Sequence, residues 1–441
     1  MKSRWSLLLI VLLGLVFSAQ VQQGKKIESV PGEFIVKWKP GITDTSVSAM
    51  SARTIASFPE IGVALLRQEV GIQTLQSDPR VEYAEPNYIY RASGTPNDPR
   101  FNELWGMNNT GQTGGANDAD IDATEAWDTQ TGSDSTLIAV IDTGVDHNHP
   151  DLAANIWTNP GEIPDNGIDD DMNGYRDDVR GWDFVNDDND PLDDNLHGTH
   201  VAGTIGAVGN NGVGVAGVNW RVKIMPLKFL GGDGSGTLAD AISAILYAAN
   251  NKAKVMNNSW GGGGFSQALL DAIEYADSKG ALFVAAAGND GTDNDQSATY
   301  PSNYDAPNVV AVAAIDHSGN LAVWDLGGGG GGCGCQGCGT IPGAPGSNFG
   351  ATTVDLAAPG KKILSTTPNN GYTELQGTSM ATPHVAGVAG LVFSQFPGWT
   401  HLQVKERLLS SVDVSPSLQG KVVTGGRLNA QRALSGTGAA D

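Results

Sequence analysis

The sequence predicts an α/β domain on a doubly wound, mostly parallel sheet, preceded by a small α+β unit. Three observations carry this. Residues 136–141, 281–286 and 309–314 are nearly uninterrupted apolar runs, as strands covered on both faces require. Residues 223–227 and 254–257 are shorter runs of the same kind, with helical stretches at 238–250 and 266–279 between them. Strand–helix alternation of this sort winds a parallel sheet. Finally, 59 glycines in 441 residues call for tight turns and close backbone approaches rather than a helical bundle.

The length allows one large domain and a small one. An apolar content of 40% is ordinary for a globular protein, and the formal net charge is −22. That charge opposes binding to a polyanion, so no nucleic-acid partner is expected. It is compatible with bound metal cations.

In chain order, residues 1–19 read as a signal peptide. Lys2 and Arg4 lead an apolar run at 7–17 that ends in Ser18 and Ala19. The run is short for crossing a bilayer, so cleavage and secretion are expected. Residues 25–92 form a separate small domain. Phe34, Val36 and Trp38 set against Lys37 and Lys39 predict a half-buried strand. Residues 49–70 read as helical or mixed, and 81–86 as an edge strand. Residues 93–97 are linker-like. The main domain spans 98–435. It contains an Asp-rich region at 165–194 and a Gly/Cys-rich insertion at 326–346. Cys333, Cys335 and Cys338 are the only cysteines. Lying in one stretch, they cannot staple the fold. They could form one disulfide and leave a thiol, or bind a soft metal, though a flexible surface loop is favoured.

Four polar residues sit at element ends. Asp142 follows the strand at 137–141. His197 opens the run His197-Gly198-Thr199-His200. Asn289 ends a strand in Gly288-Asn289-Asp290. Ser379 lies among small residues in Gly377-Thr378-Ser379-Met380-Ala381, ahead of the apolar helix predicted at 385–392. Strand ends of doubly wound sheets are where ligands bind. A serine hydroxyl becomes a nucleophile when a base and an orienting acid serve it. A helix N-terminus favours an anion forming nearby.

Together, in the order Asp, His, Ser, these motifs resemble the subtilisin-like serine proteases, or subtilases. The pattern is nearest to thermitase-like secreted members, whose mature start resembles residues 95–99. The resemblance implies a secreted serine endopeptidase, catalytic through Asp142, His197 and Ser379, with Asn289 as an oxyanion donor and Thr378 as a lesser one. It implies that 25–92 is an inhibitory and chaperoning propeptide removed by self-processing. It also implies a monomer acting on protein or peptide substrates bound as an extended strand. Gly234, Ser235 and Gly236 resemble the edge that pairs with substrate. Ser259, Trp260 and Gly261 resemble a wall of the pocket for the residue before the cut, with 299–301 near its floor. Neither motif is acidic, so a preference for apolar or aromatic residues is expected there. The resemblance makes His200 structural; Asp146 is read as a turn residue, and His384 and His401 as structural or exposed.

The Asp-rich region carries its own signal. Asp169, Asp171 and Asn173 alternate, and Gly174 is sixth, as at the start of a calcium loop. Arg180 stands where the closing Glu belongs, so Asp177, Asp178 or Asp165 would complete the set. A solvated acidic insertion is the alternative, although repulsion among so many carboxylates favours a cation. The resemblance implies two further sites. One uses Asp183, Asn186, Asp188 and Asp190. The other uses Asp98, Asp151 and Asn211 with the carbonyls of Val208, Val213 and Val215. About two or three structural Ca2+ ions are therefore expected.

Overall fold

The computed structural model describes residues 29–39, 53–67, 71–88, 94–324 and 345–435. The signal segment at 1–19 and the three cysteines lie outside the described residues. Contacts divide the chain into two compact units, residues 1–92 and 93–441.

In the first unit, strands β1 (Ser29–Trp38), β2 (Arg53–Phe58), β3 (Val63–Arg67) and β4 (Val81–Tyr88) form an antiparallel sheet ordered β2-β3-β1-β4, with helix α1 (Ile72–Gln76) between β3 and β4. Val36 and Trp38 of β1 point into a core with Leu66, Leu75 and Ala84. The expectation of helical or mixed structure over 49–70 is corrected: 53–67 is a β-hairpin. Its turn carries Gly62 at φ 66°, a left-handed conformation that glycine adopts freely.

The second unit is a nine-stranded sheet. Helix α2 (Ala123–Trp127) leads into β5 (Gly132–Asp142). Short β6 (Trp182–Asp183) precedes α3 (His197–Gly206), β7 (Arg221–Lys228), α4 (Leu238–Asn250), β8 (Val255–Asn258), α5 (Gln267–Ser278), β9 (Leu282–Ala286), β10 (Val309–Ile315) and β11 (Leu356–Pro359). A hairpin of β12 (Ile363–Thr367) and β13 (Gly371–Leu375) leads to the long α6 (Thr378–Gln395). Then come α7 (His401–Ser410), β14 (Asp413–Val414), β15 (Gly426–Arg427) and α8 (Ala430–Leu434). The strand order is β14-β15-β11-β10-β9-β8-β5-β7-β6, parallel except at β14–β15.

The apolar strands explain why the sheet is covered twice. Ile138 and Val140 of β5 join the core shared with α3 and α6. Ala139 and Ile141 join the core shared with α4 and α5. Alternate side chains of one strand point to opposite faces, so an all-apolar strand needs helices on both. Helix starts are marked in the sequence as well. The Thr237 and Ser266 side chains cap α4 and α5, each accepting an otherwise unpaired amide. Helix α6 is buried from Thr378 to Phe393, so its N-terminus is held from all sides at the carboxyl edge of the sheet.

Candidate active site

Asp142 is the last residue of β5, fixed by parallel register with β7 and β8. Its side chain is fully buried. Oδ1 accepts the Thr143 amide at 2.8 Å and lies 2.7 Å from His197 Nδ1. Oδ2 is buried with no hydrogen-bond partner among the described residues. A buried carboxylate needs charged or polar partners, and the Thr143 amide and the imidazole provide them here.

His197 is the first residue of α3. Burial works against its cation. The charge of Asp142 and its hydrogen bond, with Asp193 further off, outweigh burial and raise the ring above the ordinary imidazole range. The other histidines near the site behave differently. Burial pushes His200 down to about 3, and its Nε2 lies 2.9 Å from the Ile363 carbonyl. Burial likewise pushes His384 down to about 4, with Nδ1 at 2.8 Å from the Met380 carbonyl. Both are neutral fixtures of the packing.

Ser379 is the second residue of α6. Its hydroxyl donates to the Ser259 carbonyl at 3.0 Å, and no hydrogen bond joins it to His197 among the described residues. Asn289 meets the same helix start: its Oδ1 accepts the Thr378 amide at 2.8 Å and the Thr378 hydroxyl at 3.1 Å. Gly377, at φ 152°, makes the sharp entry into α6 beside Asn289.

The pocket motifs also meet. Ser259, Trp260 and Gly261 follow β8. Trp260 packs edge-on to Phe229 at 4.9 Å, and the Gly262 amide donates to the Tyr300 carbonyl at 3.0 Å. Residues 299–301 therefore lie alongside. Gly234, Ser235 and Gly236 form no strand within the chain. The Gly231 amide donates to the Ser235 carbonyl at 2.9 Å and closes a turn. A side chain at Gly236 would overlap the Phe229 carbonyl.

The acidic residues fall into three places. Asp98 and Asp151 are both buried. Burial pushes Asp151 up to about 6, with Asp98 adding to the shift, and raises Asp98 too. Asn211 Nδ2 donates to Asp151 at 2.8 Å, and the Val215 amide does so at 2.9 Å. The Val208 amide bonds the Asp151 carbonyl, so this site gathers Asp98, Asp151, Asn211 and the loop around Val213. Asp98 Oδ1 is buried with no partner among the described residues. An orphaned buried carboxylate oxygen beside a second carboxylate fits a hard cation such as calcium.

In the Asp-rich region, Glu162, Asp171 and Asp178 bring donor oxygens within 4.8 Å of one another. Asp169 instead accepts the Asn173 and Gly174 amides, and Asp177 accepts those of Asn166 and Gly167. Asn173 Nδ2 donates to both Asp171 and Asp178. Glu162 escaped the sequence reading because it lies upstream of the alternating aspartates. Asp183 accepts the Val185 and Asn186 amides, and Asp188 accepts that of Asp190, so those carboxylates are turned onto their own loop.

Comparison with known proteins gives the chain its family. Residues 133–434 match the subtilase family, and residues 17–87 match the fervidolysin N-terminal prodomain. The chain is similar to the thermophilic serine proteinase of Bacillus sp. strain AK1, 38% identical over 368 residues, 83% of this chain and 76% of that protein. It is similar to thermitase of Thermoactinomyces vulgaris, 37% identical over 340 residues, 77% of this chain and 99% of thermitase. Among solved structures, a protease from Pseudoalteromonas arctica PAMC 21717 aligns with a TM-score of 0.60 at 31% identity, covering 77% of this chain and 99% of that one.

Proposed function

The chain belongs to the subtilase family and is a serine endopeptidase; we propose that it cuts through Asp142, His197 and Ser379, is stabilised by calcium, and is secreted as a self-processing zymogen. The observation that carries the catalytic reading is the 2.7 Å contact between Asp142 and His197 on elements that converge on the mouth of α6. Ser379 turns its hydroxyl from the Ser259 carbonyl to His197 Nε2. The imidazole takes the proton as Oγ attacks the peptide carbonyl, then gives it to the leaving amine. Asp142 holds the tautomer and stabilises the imidazolium. With its Oδ1 anchored on Thr378, the Asn289 amide group and the Ser379 N–H receive the oxyanion.

Substrate lies extended against Gly234–Gly236 by backbone pairing, with the residue before the cut between 259–261 and 299–301. Apolar or aromatic residues suit that wall. Residues 25–92 act as a chaperone and product-like inhibitor, released by cleavage near 93–97. Calcium held by Asp98, Asp151 and Asn211 neutralises a buried pair and ties residues 97–100 to 208–215; it takes no part in the chemistry.

The test is labelling with a sulfonyl fluoride. Modification of Ser379, and loss of both proteolysis and processing in Ser379→Ala, are expected. Proteolysis that survives Ser379→Ala would overturn the assignment.

A further inference from the structure

Helix α3 starts without a cap of its own. Its N-cap residue is Leu196, at φ 124° and with no side-chain cap, a conformation costly for a branched aliphatic residue. The first four amides of a helix have no partner inside it. Here all four are taken from outside. Leu196 N and Thr199 N donate to Asp193 at 3.0 and 2.9 Å. His197 N donates to Asn195 Oδ1 at 3.3 Å, and Gly198 N to Thr143 Oγ1 at 2.9 Å.

Asp193 is the hub. It is 5% exposed and accepts five hydrogen bonds. Besides those two amides it takes the Asn195 amide at 2.9 Å, the Thr199 hydroxyl at 2.6 Å and the Thr143 hydroxyl at 2.9 Å. Thr143 follows Asp142 directly, and its own amide binds Asp142 Oδ1. Thr199 Oγ1 in turn accepts the Asp146 amide at 2.9 Å. One carboxylate thus grips the end of β5, the turn after it, and the first turn of α3.

We propose that Asp193 is the positioning residue that locks the helix start carrying His197 to the strand end carrying Asp142. The inference rests on the catalytic reading above and deepens it. No hydrogen bond joins the Asp193 carboxylate to the imidazole among the described residues. Asp193 acts by holding the backbone that presents the pair, and its carboxylate offsets the unfavourable Leu196 geometry. An anion at a helix N-terminus is also favoured by the helix dipole. The ionisable groups facing His197 are Asp142 on β5, Asp193 before α3 and His200 on α3. The nearby cation Lys228 is engaged by Asp194 at 2.6 Å and by the Thr143 carbonyl at 2.8 Å.

Asp193→Asn tests this on the full chain, with active sites counted by burst titration. The amide keeps one acceptor where the carboxylate offers two, and removes a negative charge. A fall in kcat on the order of tenfold to a hundredfold is expected from lost alignment, with KM little changed. The acid limb of kcat/KM moves to lower pH, because His197 loses a stabilising charge. A variant that melts earlier but keeps its kcat and its acid limb would reduce Asp193 to a structural part and overturn the proposal. If Asp193→Asn does not fold, Thr143→Val removes the tie from the end of β5 to Asp193 together with the acceptor for the Gly198 amide; a fall in kcat at constant KM is expected, and an unchanged kcat overturns the proposal. Burst amplitude abolished by Ser379→Ala but intact in these variants separates failure of this inference from failure of the triad.

Discussion

Ser259 and Ser379 exchange two hydrogen bonds: Ser259 Oγ donates to the Ser379 carbonyl at 2.9 Å, and Ser379 Oγ donates to the Ser259 carbonyl at 3.0 Å. Pro383 explains the first. A helical carbonyl normally accepts the amide four residues on, and proline has none. Ser259 supplies the donor that Pro383 lacks, and so ties the pocket wall after β8 to the first turn of α6.

Ser259→Ala therefore leaves a buried carbonyl without its donor, at a cost of about 1–3 kcal/mol. A lower Tm is expected, together with reduced kcat, since the α6 start loses a tether next to the proposed nucleophile. A melting curve and a rate assay on the titrated variant check both; an unaltered Tm would show that the carbonyl is satisfied some other way.

Gly198 packs the start of α3 against the end of β5 and the turn after it. A Cβ there would overlap the Gly144 carbonyl and press on Asp142 Cβ at 3.2 Å. Gly198→Ala must push the helix start off the strand end. Overpacking of this kind costs about 1–3 kcal/mol. The geometric effect is larger, since the same displacement separates His197 from Asp142. A kcat lowered by at least about tenfold is expected, alongside the lower Tm. Wild-type rates in the variant would mean that the approach relaxes without moving His197.

The elements proposed to carry catalysis were legible because their signals are local. Asp142 ends an apolar strand and Ser379 opens an apolar helix, so short windows contain both the residue and its scaffold. The same holds for α4 and α5, whose caps Thr237 and Ser266 sit where the periodicity begins. What escaped is non-local. Glu162 reaches Asp171 and Asp178 through a loop whose path no periodicity encodes. Asp193 looked like one more aspartate in an acidic run, and only the folded chain shows five donors around it. In the first unit, 53–67 gave a mixed pattern because one extra residue in β2, Ile55, shifts its register against β3 and breaks the alternation that marks a strand.

Asn289 offers a sharper test of chemistry against scaffolding. Asn289→Ala removes the proposed oxyanion donor and also the acceptor for the Thr378 amide. Loss of one such donor lowers kcat by about 10²–10³, a range set by a subtilisin variant rather than by this geometry. KM should change little, because the interaction strengthens in the transition state. Asn289→Asp keeps the acceptor for Thr378 while removing the amide donor. If kcat falls in both variants, the donor matters; if Asn289→Asp retains full kcat, the residue serves only to cap α6.

Buried carboxylates make stability depend on pH and on calcium together. Burial raises Asp98, takes Asp151 up to about 6, and raises Glu162 and Asp178 in the Asp-rich region. In a separate cluster near the C-terminal strands, burial pushes Asp120 up to about 6 and Asp122 up to about 7, the latter with Asp120 and Asp413 adding to it. An unfolded Asp titrates near 3.9. Between that value and the raised one, the folded state binds more protons than the unfolded state. Stability is then fully present at low pH and is lost as pH rises through the folded values. A cation between Asp98 and Asp151 replaces the proton and cancels their share of the loss. Tm should be followed from pH 4 to about 8 with calcium and with chelator. The two curves should separate as pH rises through the Asp151 value, and Asp151→Asn should narrow the gap. Asp122→Asn should raise Tm at the alkaline end in both conditions, because that cluster contains no proposed calcium ligand. A gap of constant size across the range, or one untouched by Asp151→Asn, would remove calcium from the Asp98–Asp151 pair.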